Sequence, residues 1–180
     1  MTGKKHIDLF CVFGAVAMFA AVPSPTRAAP ATGEAQIVIV APLTFINNED
    51  LNFGRIIPAH VAGTVSISET NKRTTTNGIV PVGNDYQAAQ FAGLAAQDQR
   101  VTIRISPTVI SLIGPGPAMT VDIFAIGPEA SLAQIGNSPN YRVVRADGIF
   151  QFAVAARLHV GANQPAGTYS GSFTATLDYQ

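Results

Sequence analysis

Two histidines, His60 and His159, are the only imidazoles beyond the N-terminal apolar run. An imidazole becomes a general base or a metal ligand when a carboxylate, a thiol or a second imidazole stands beside it. Neither histidine has such a neighbour at ligand spacing along the chain. His159 falls on the polar side of an alternating segment and reads as an exposed strand histidine. Carboxylates are scattered, with Glu49-Asp50 the adjacent pair, preceded by Asn47-Asn48. A calcium loop alternates its acidic ligands; this stretch does not, and reads as a solvated turn before an apolar strand, Leu51–Ile57. No Gly-x-Ser-x-Gly nucleophile elbow occurs. Gly114-Pro115-Gly116-Pro117 sets prolines where a phosphate loop needs amide donors. The expectation is a non-enzyme with no catalytic, cofactor-binding or metal-ligating residues, and no cofactor.

The single cysteine, Cys11, lies inside an uncharged, largely apolar run from Leu9 to Val22, preceded by Lys4 and Lys5. Pro23-Ser-Pro-Thr-Arg-Ala28-Ala29-Pro30-Ala31 follows, with small residues at a cleavage position. This three-part pattern is that of a secretory signal peptide. The run is shorter than the ~20 residues that span a bilayer. Residues 1–28 are therefore expected to be removed after Ala28, with Ala31 as the alternative. Phe10 before Cys11, and the run continuing past it, exclude a lipoprotein site. The exported chain then has no cysteine and no disulfide, although its compartment would permit one. It is expected in the periplasm, at the cell surface or outside a bacterial cell.

Charged residues make up 12% of the chain and hydrophobic residues 47%, so a core can be buried beneath a mostly neutral surface. Removing Lys4, Lys5, Arg27 and Asp8 from eleven basic and eleven acidic residues leaves eight and ten, a net charge of −2. Nothing here steers the chain to nucleic acid or anionic lipid.

The segments that must position any site alternate with period two. Val101, Ile103 and Ile105 share one face of Arg100–Ser106; Val65 and Ile67 share one face of Gly63–Ser68. Phe150, Phe152, Val154, Ala156, Leu158 and Val160 point one way along Ile149–Val160. Met119–Phe124 and Tyr169–Tyr179 repeat the pattern, and Gln90–Leu94 reads as a strand followed by a loop. Breaks are rich in Gly, Pro and Asn, and Asp147-Gly148 suits a tight hairpin between Tyr141–Arg145 and Ile149–Val160. Short strands at such spacing predict one antiparallel β-sandwich, immunoglobulin-like, over residues 42–180.

The chain ends carry the functional signal. Ala35, Ile37, Ile39 and Ala41 alternate with Gln36, Val38 and Val40 within residues 29–41, a segment apolar on both faces. In the last segment Tyr169, Gly171, Phe173, Ala175, Leu177 and Tyr179 share a face. Gly167 stands fourteenth from the end and Tyr179 is penultimate. In this the sequence resembles chaperone–usher pilus subunits. Pro42-Leu43-Thr44, Leu51-Asn52-Phe53-Gly54 and Ala166-Gly-Thr-Tyr-Ser-Gly171 also resemble the motifs of a family of exported bacterial domains of unknown function. More loosely the chain is similar to spore-coat U-type proteins. It lacks the two cysteines usual in pilins.

The resemblance implies a pilin-like sandwich that polymerises by donor-strand exchange, in which one subunit supplies the strand that another lacks. It makes Ala35, Ile37, Ile39 and Ala41 the donor strand. It makes Gly167, Tyr169, Phe173, Ala175, Leu177 and Tyr179 the edge strand gripped by a chaperone or a neighbouring subunit. Partners would be copies of the chain, a periplasmic chaperone and an outer-membrane usher. The alternative is a self-contained, adhesin-like binding module using loops such as Ile113–Ala118 and Glu129–Asn140.

Overall fold

In a computed structural model, residues 44–137 and 139–180 are described, all within one unit, Val38–Gln180. The expected signal peptide and the expected donor strand lie outside the described residues. The described residues form thirteen strands and no helix, and every strand pairing is antiparallel.

The spine of the larger sheet is β12 (Ile149–Val160), whose burial alternates at both ends, while Phe152–Ala156 are buried without a break, so the expected outer residues Ala153 and Ala155 are buried too. One edge of β12 pairs with β9 (Met119–Pro128), which carries β8 (Ile110–Leu112). The other edge is shared end to end. β6 (Ala89–Leu94) takes Ile149 to Val154, and β3 (Gly63–Ile67) takes Ala156 to Val160. Between them Asn71, at φ 59, accepts the amide N–H of Ala88 on Oδ1 at 2.8 Å, which joins the two abutting strands. β1 (Thr44–Glu49) flanks β6, and β4 (Arg73–Thr75) flanks β3.

The second sheet has the order β10 (Leu132–Gln134), β11 (Asn140–Val143), β7 (Arg100–Ser106), β13 (Thr174–Tyr179). A two-stranded ribbon, β2 (Arg55–Ile57) with β5 (Val80–Val82), completes the set. One apolar cluster joins the two larger sheets: Phe91, Phe150, Phe152 and Val154 from one meet Val101, Ile103, Val143 and Leu177 from the other. Full burial of each such side chain contributes ~1.5–3 kcal/mol. A second cluster, with Val65, Ile67, Val121, Leu158 and Val160, lies beneath the other half of β12. Phe173, Phe124 and Leu51 pack against both clusters.

Four expectations are corrected. β11 and β12 belong to different sheets, so Asp147-Gly148 joins sheets and is not a hairpin turn. Arg145 donates to the Asp147 carboxylate, which also accepts Ile149 N–H, and these bonds shape the crossing. The final segment is not one strand: Ser170 bridges to Ile113 on the first sheet, and pairing with β7 begins only at Thr174. Gly171 fixes the break, because a Cβ there would lie 2.7 Å from the Ser111 carbonyl oxygen. Leu51–Ile57 is interrupted at Gly54, whose φ of 75 follows from Asn52 Oδ1 accepting its N–H. Glu49 ends β1 beyond an irregularity between Asn47 and Glu49, and so is strand and not turn.

Candidate functional site

The isolated chemistry-bearing residues are tied into the scaffold. His60 Nδ1 lies 2.8 Å from Asn163 Oδ1, and Asn47 donates to Asp50. His159 does gain a carboxylate: Asp122 Oδ1 lies 3.0 Å from its Nε2. The pair is separated by many residues and meets only through the β9–β12 register, so no sequence spacing announces it. Among the described residues no group of three or more His, Cys, Asp or Glu could hold a metal. Nor does any described helix reach the length and apolarity needed to cross a membrane.

A cleft of about 1210 Å³ opens among the described residues. Its floor is the inner face of β8, β9 and β12, with Ile110, Met119, Val121 and Leu158. One wall is Asp50–Pro58, which includes β2. The other is the segment from Gln164 to Ala175, which crosses from the first sheet to the second. Pockets for drug-sized ligands occupy ~300–1,000 Å³, and this cleft lies just above that range.

Both walls are anchored. Arg73 donates Nη1 to the Phe53 carbonyl at 3.2 Å and Nη2 to the Gly83 carbonyl at 2.7 Å, and its guanidinium stacks 4.3 Å from the Tyr86 ring centroid. Gly54 is needed beneath it, since a Cβ there would come within 2.5 Å of Arg73 Nη1. On the opposite wall the buried Gln164 donates to the Pro117 carbonyl, and Tyr169 Oη donates to the Pro165 carbonyl at 3.0 Å. Ile113 and Ser170 exchange two backbone bonds of 2.8 and 3.0 Å. No sequence pattern announces this role of Arg73, which stands beside Lys72 between Asn71 and a run of threonines.

The expected edge strand divides into two parts. Gly167 and Tyr169 sit in the crossing wall, against Pro115 and against Gly114 and Gly116. Phe173, Ala175, Leu177 and Tyr179 continue the inward face, while Thr174, Thr176 and Asp178 are exposed. Among the described residues β13 pairs with β7 alone, and only its first two residues, Thr174 and Ala175, line the cleft. Leu177 is buried, and Tyr179 Oη reaches the Leu94 carbonyl at 3.4 Å; burial pushes its phenol up from the ordinary value. Arg104 and Asp178 pair on the outer face at 3.0 Å. The expected donor residues, Ala35, Ile37, Ile39 and Ala41, lie outside the described residues.

A family model described as "Domain of unknown function (DUF4402)" matches residues 43–179. The chain belongs to that family. Among curated proteins and solved structures, none matches the chain.

Proposed function

We propose that this DUF4402 member is an exported, non-enzymatic structural subunit, a pilin-like antiparallel β-sandwich that assembles by donor-strand exchange. One observation carries the reading: the last strand, β13, has a single partner among the described residues, and its first residues, Thr174 and Ala175, line an apolar-floored cleft. An open strand edge is a template for another strand, with main-chain bonds supplying affinity and alternate side chains filling the space beneath. The occupant is residues 35–41 of a second copy. Ala35, Ile37, Ile39 and Ala41 face inward beside Phe173, Ala175, Leu177 and Tyr179.

Burying the two isoleucines at ~1.5–3 kcal/mol each and the two alanine methyls at ~0.8 kcal/mol each contributes roughly 5–8 kcal/mol, against the ~5–15 kcal/mol of a whole domain. A subunit without its donor is therefore marginal, which is the reason to expect a periplasmic chaperone and an outer-membrane usher as further partners. The reading of a self-contained binding module draws no support from Ile113–Ala118, whose glycines are pressed against Tyr169.

Size-exclusion chromatography with light scattering tests the proposal, on residues 29–180 and on the same chain lacking residues 29–41. Ladders or chaperone dependence for the first, and an unstable monomer for the second, are expected. A stable monomer from residues 29–180 would refute it.

A further inference from the structure

The proposed donor segment ends at Ala41 and β1 begins at Thr44, with only Pro42 and Leu43 between. Three Cα steps reach at most about 10 Å, close to the ~10 Å spacing of two packed sheets. When residues 35–41 of one copy lie along β13 of another, the two bodies have no room to stand apart. The surface around Thr44 of the donor must touch the surface where the donor strand leaves the acceptor.

The pairing registers place both surfaces. Thr44 is opposite Leu94, and Leu94 is opposite Ile149, so β1 starts at the Ile149 end of β12. Tyr179 reaches Leu94 as well, so β13 runs toward that same end. The cleft lies at the other end, with Leu158, Val160 and Leu112. A donor strand antiparallel to β13, the orientation of every pairing in the fold, leaves the acceptor at this cleft end.

Each end carries exposed aliphatic side chains that no core requires. At the Thr44 end are Ile46 (58% exposed) and Ile149 (48%). At the cleft end are Ile57 (56%), Val61 (57%), Val80 (51%) and Ile113 (65%). Ile57 and Val80 face each other across the ribbon, Val61 stands two residues before β3, and Ile113 follows β8.

We propose that these two patches form a second, head-to-tail interface between consecutive copies: the Ile46/Ile149 end of the donor packs on the Ile57/Val80/Ile113 end of the acceptor. The inference rests on the strand-exchange reading. The contact is heterologous, so it propagates along a fibre and does not close a dimer. It would set the angle between subunits, which a strand on a free linker could not.

Cysteine pairing on the exported chain, whose own Cys11 is expected to leave with the signal peptide, tests it. A population carrying Ile149→Cys is mixed under oxidising conditions with one carrying Ile57→Cys, Val80→Cys or Ile113→Cys. All four positions are exposed, so the variants should fold. Mixed disulfides in excess over either self-pair are expected for at least one combination. Self-pairing of Ile149→Cys alone would mean the donor leaves by the Thr44 end and would overturn the proposal. A second pair, Ile39→Cys with Ala175→Cys or Leu177→Cys, reports strand addition itself. If that pair links and none of the end pairs does, the interface is wrong and strand exchange stands. If neither links, both are wrong.

Discussion

Tyr169 is wedged against Gly116 so closely that a Cβ on the glycine would lie 2.5 Å from the phenol oxygen. The same ring closes on Gly114, where a Cβ would meet Cδ1 at 2.5 Å. The Gly-Pro-Gly-Pro loop therefore exists to admit this side chain, and through it to hold the wall of the cleft. Gly116→Ala should lower stability by ~1–3 kcal/mol through overpacking. Tyr169→Phe should lower it by ~1 kcal/mol through its lost bond to Pro165. Urea denaturation measures both, and an unchanged midpoint in Gly116→Ala would show that the loop is free to move aside.

Alternation along Ile149–Val160, Arg100–Ser106 and Thr174–Tyr179 was legible because each strand has one face on a shared core. What alternation could not show was which strands share a sheet. Asp147-Gly148 has hairpin chemistry, yet it joins two sheets, because the glycine only supplies a bend and the partners of β11 and β12 lie elsewhere. Tyr169 alternates in phase with Phe173 but belongs to a different pairing; the break at Gly171 comes from the close approach of Ser111, which leaves no trace in local sequence. The bulge in β9 was hidden for the same reason. Ile123 at φ 50 lets both Val121 and Phe124 face inward, and the register of β12 alone explains it.

Phe173 joins the two apolar clusters at the point where the chain passes from one sheet to the other. Its ring lies 5.2 Å from that of Phe124 and 6.3 Å from that of Phe91. Phe173→Ala should cost ~2–4 kcal/mol, near the lower part of the range for buried aromatics because the side chain is only partly buried. Thermal unfolding followed by near-ultraviolet dichroism reads this. A loss below about 1 kcal/mol would mean the clusters are held together without it.

Arg73 binds three backbone carbonyls, those of Phe53, Arg55 and Gly83, from one planar group. A lysine cannot reproduce that fork or the stack on Tyr86. Arg73→Lys should loosen the β2–β5 ribbon, raising amide exchange at Arg55–Ile57 and Val80–Val82 while β12 stays protected. Equal exchange in all three strands would show that the ribbon has no separate stability to lose.

Asp147 is held at about 2 by hydrogen bonds from Arg145 and then from the Ile149 amide. A depressed carboxylate contributes stability above its unfolded value, near 3.8, and loses that contribution as pH falls through its folded value. The pair is solvent-exposed, so the effect is small. Asp147→Asn should flatten part of the stability decline between pH 4 and pH 2, and a carboxyl titration of the unsubstituted chain by NMR should place the Asp147 midpoint well below the ordinary 3.8. An Asp147 midpoint in the ordinary range would remove Arg145 as its partner in solution.

Ile39→Asp separates assembly from folding. A carboxylate at an inward position of the donor strand must be buried beside Ala175 and Leu177 or leave the cleft, and burying an unpaired charge costs several kcal/mol. If residues 35–41 act between copies, species larger than a monomer should vanish from scattering, while the monomer that remains unfolds at the midpoint of the chain lacking residues 29–41. If instead the segment completes its own sandwich, no larger species exists to lose, and the substitution should lower the monomer's unfolding free energy by the same several kcal/mol. Gln36→Asp, on the opposite face at a residue that is already polar, controls for charge alone: it should leave both readouts nearly unchanged if Ile39 is an inward residue, and reproduce both losses if the register is shifted by one.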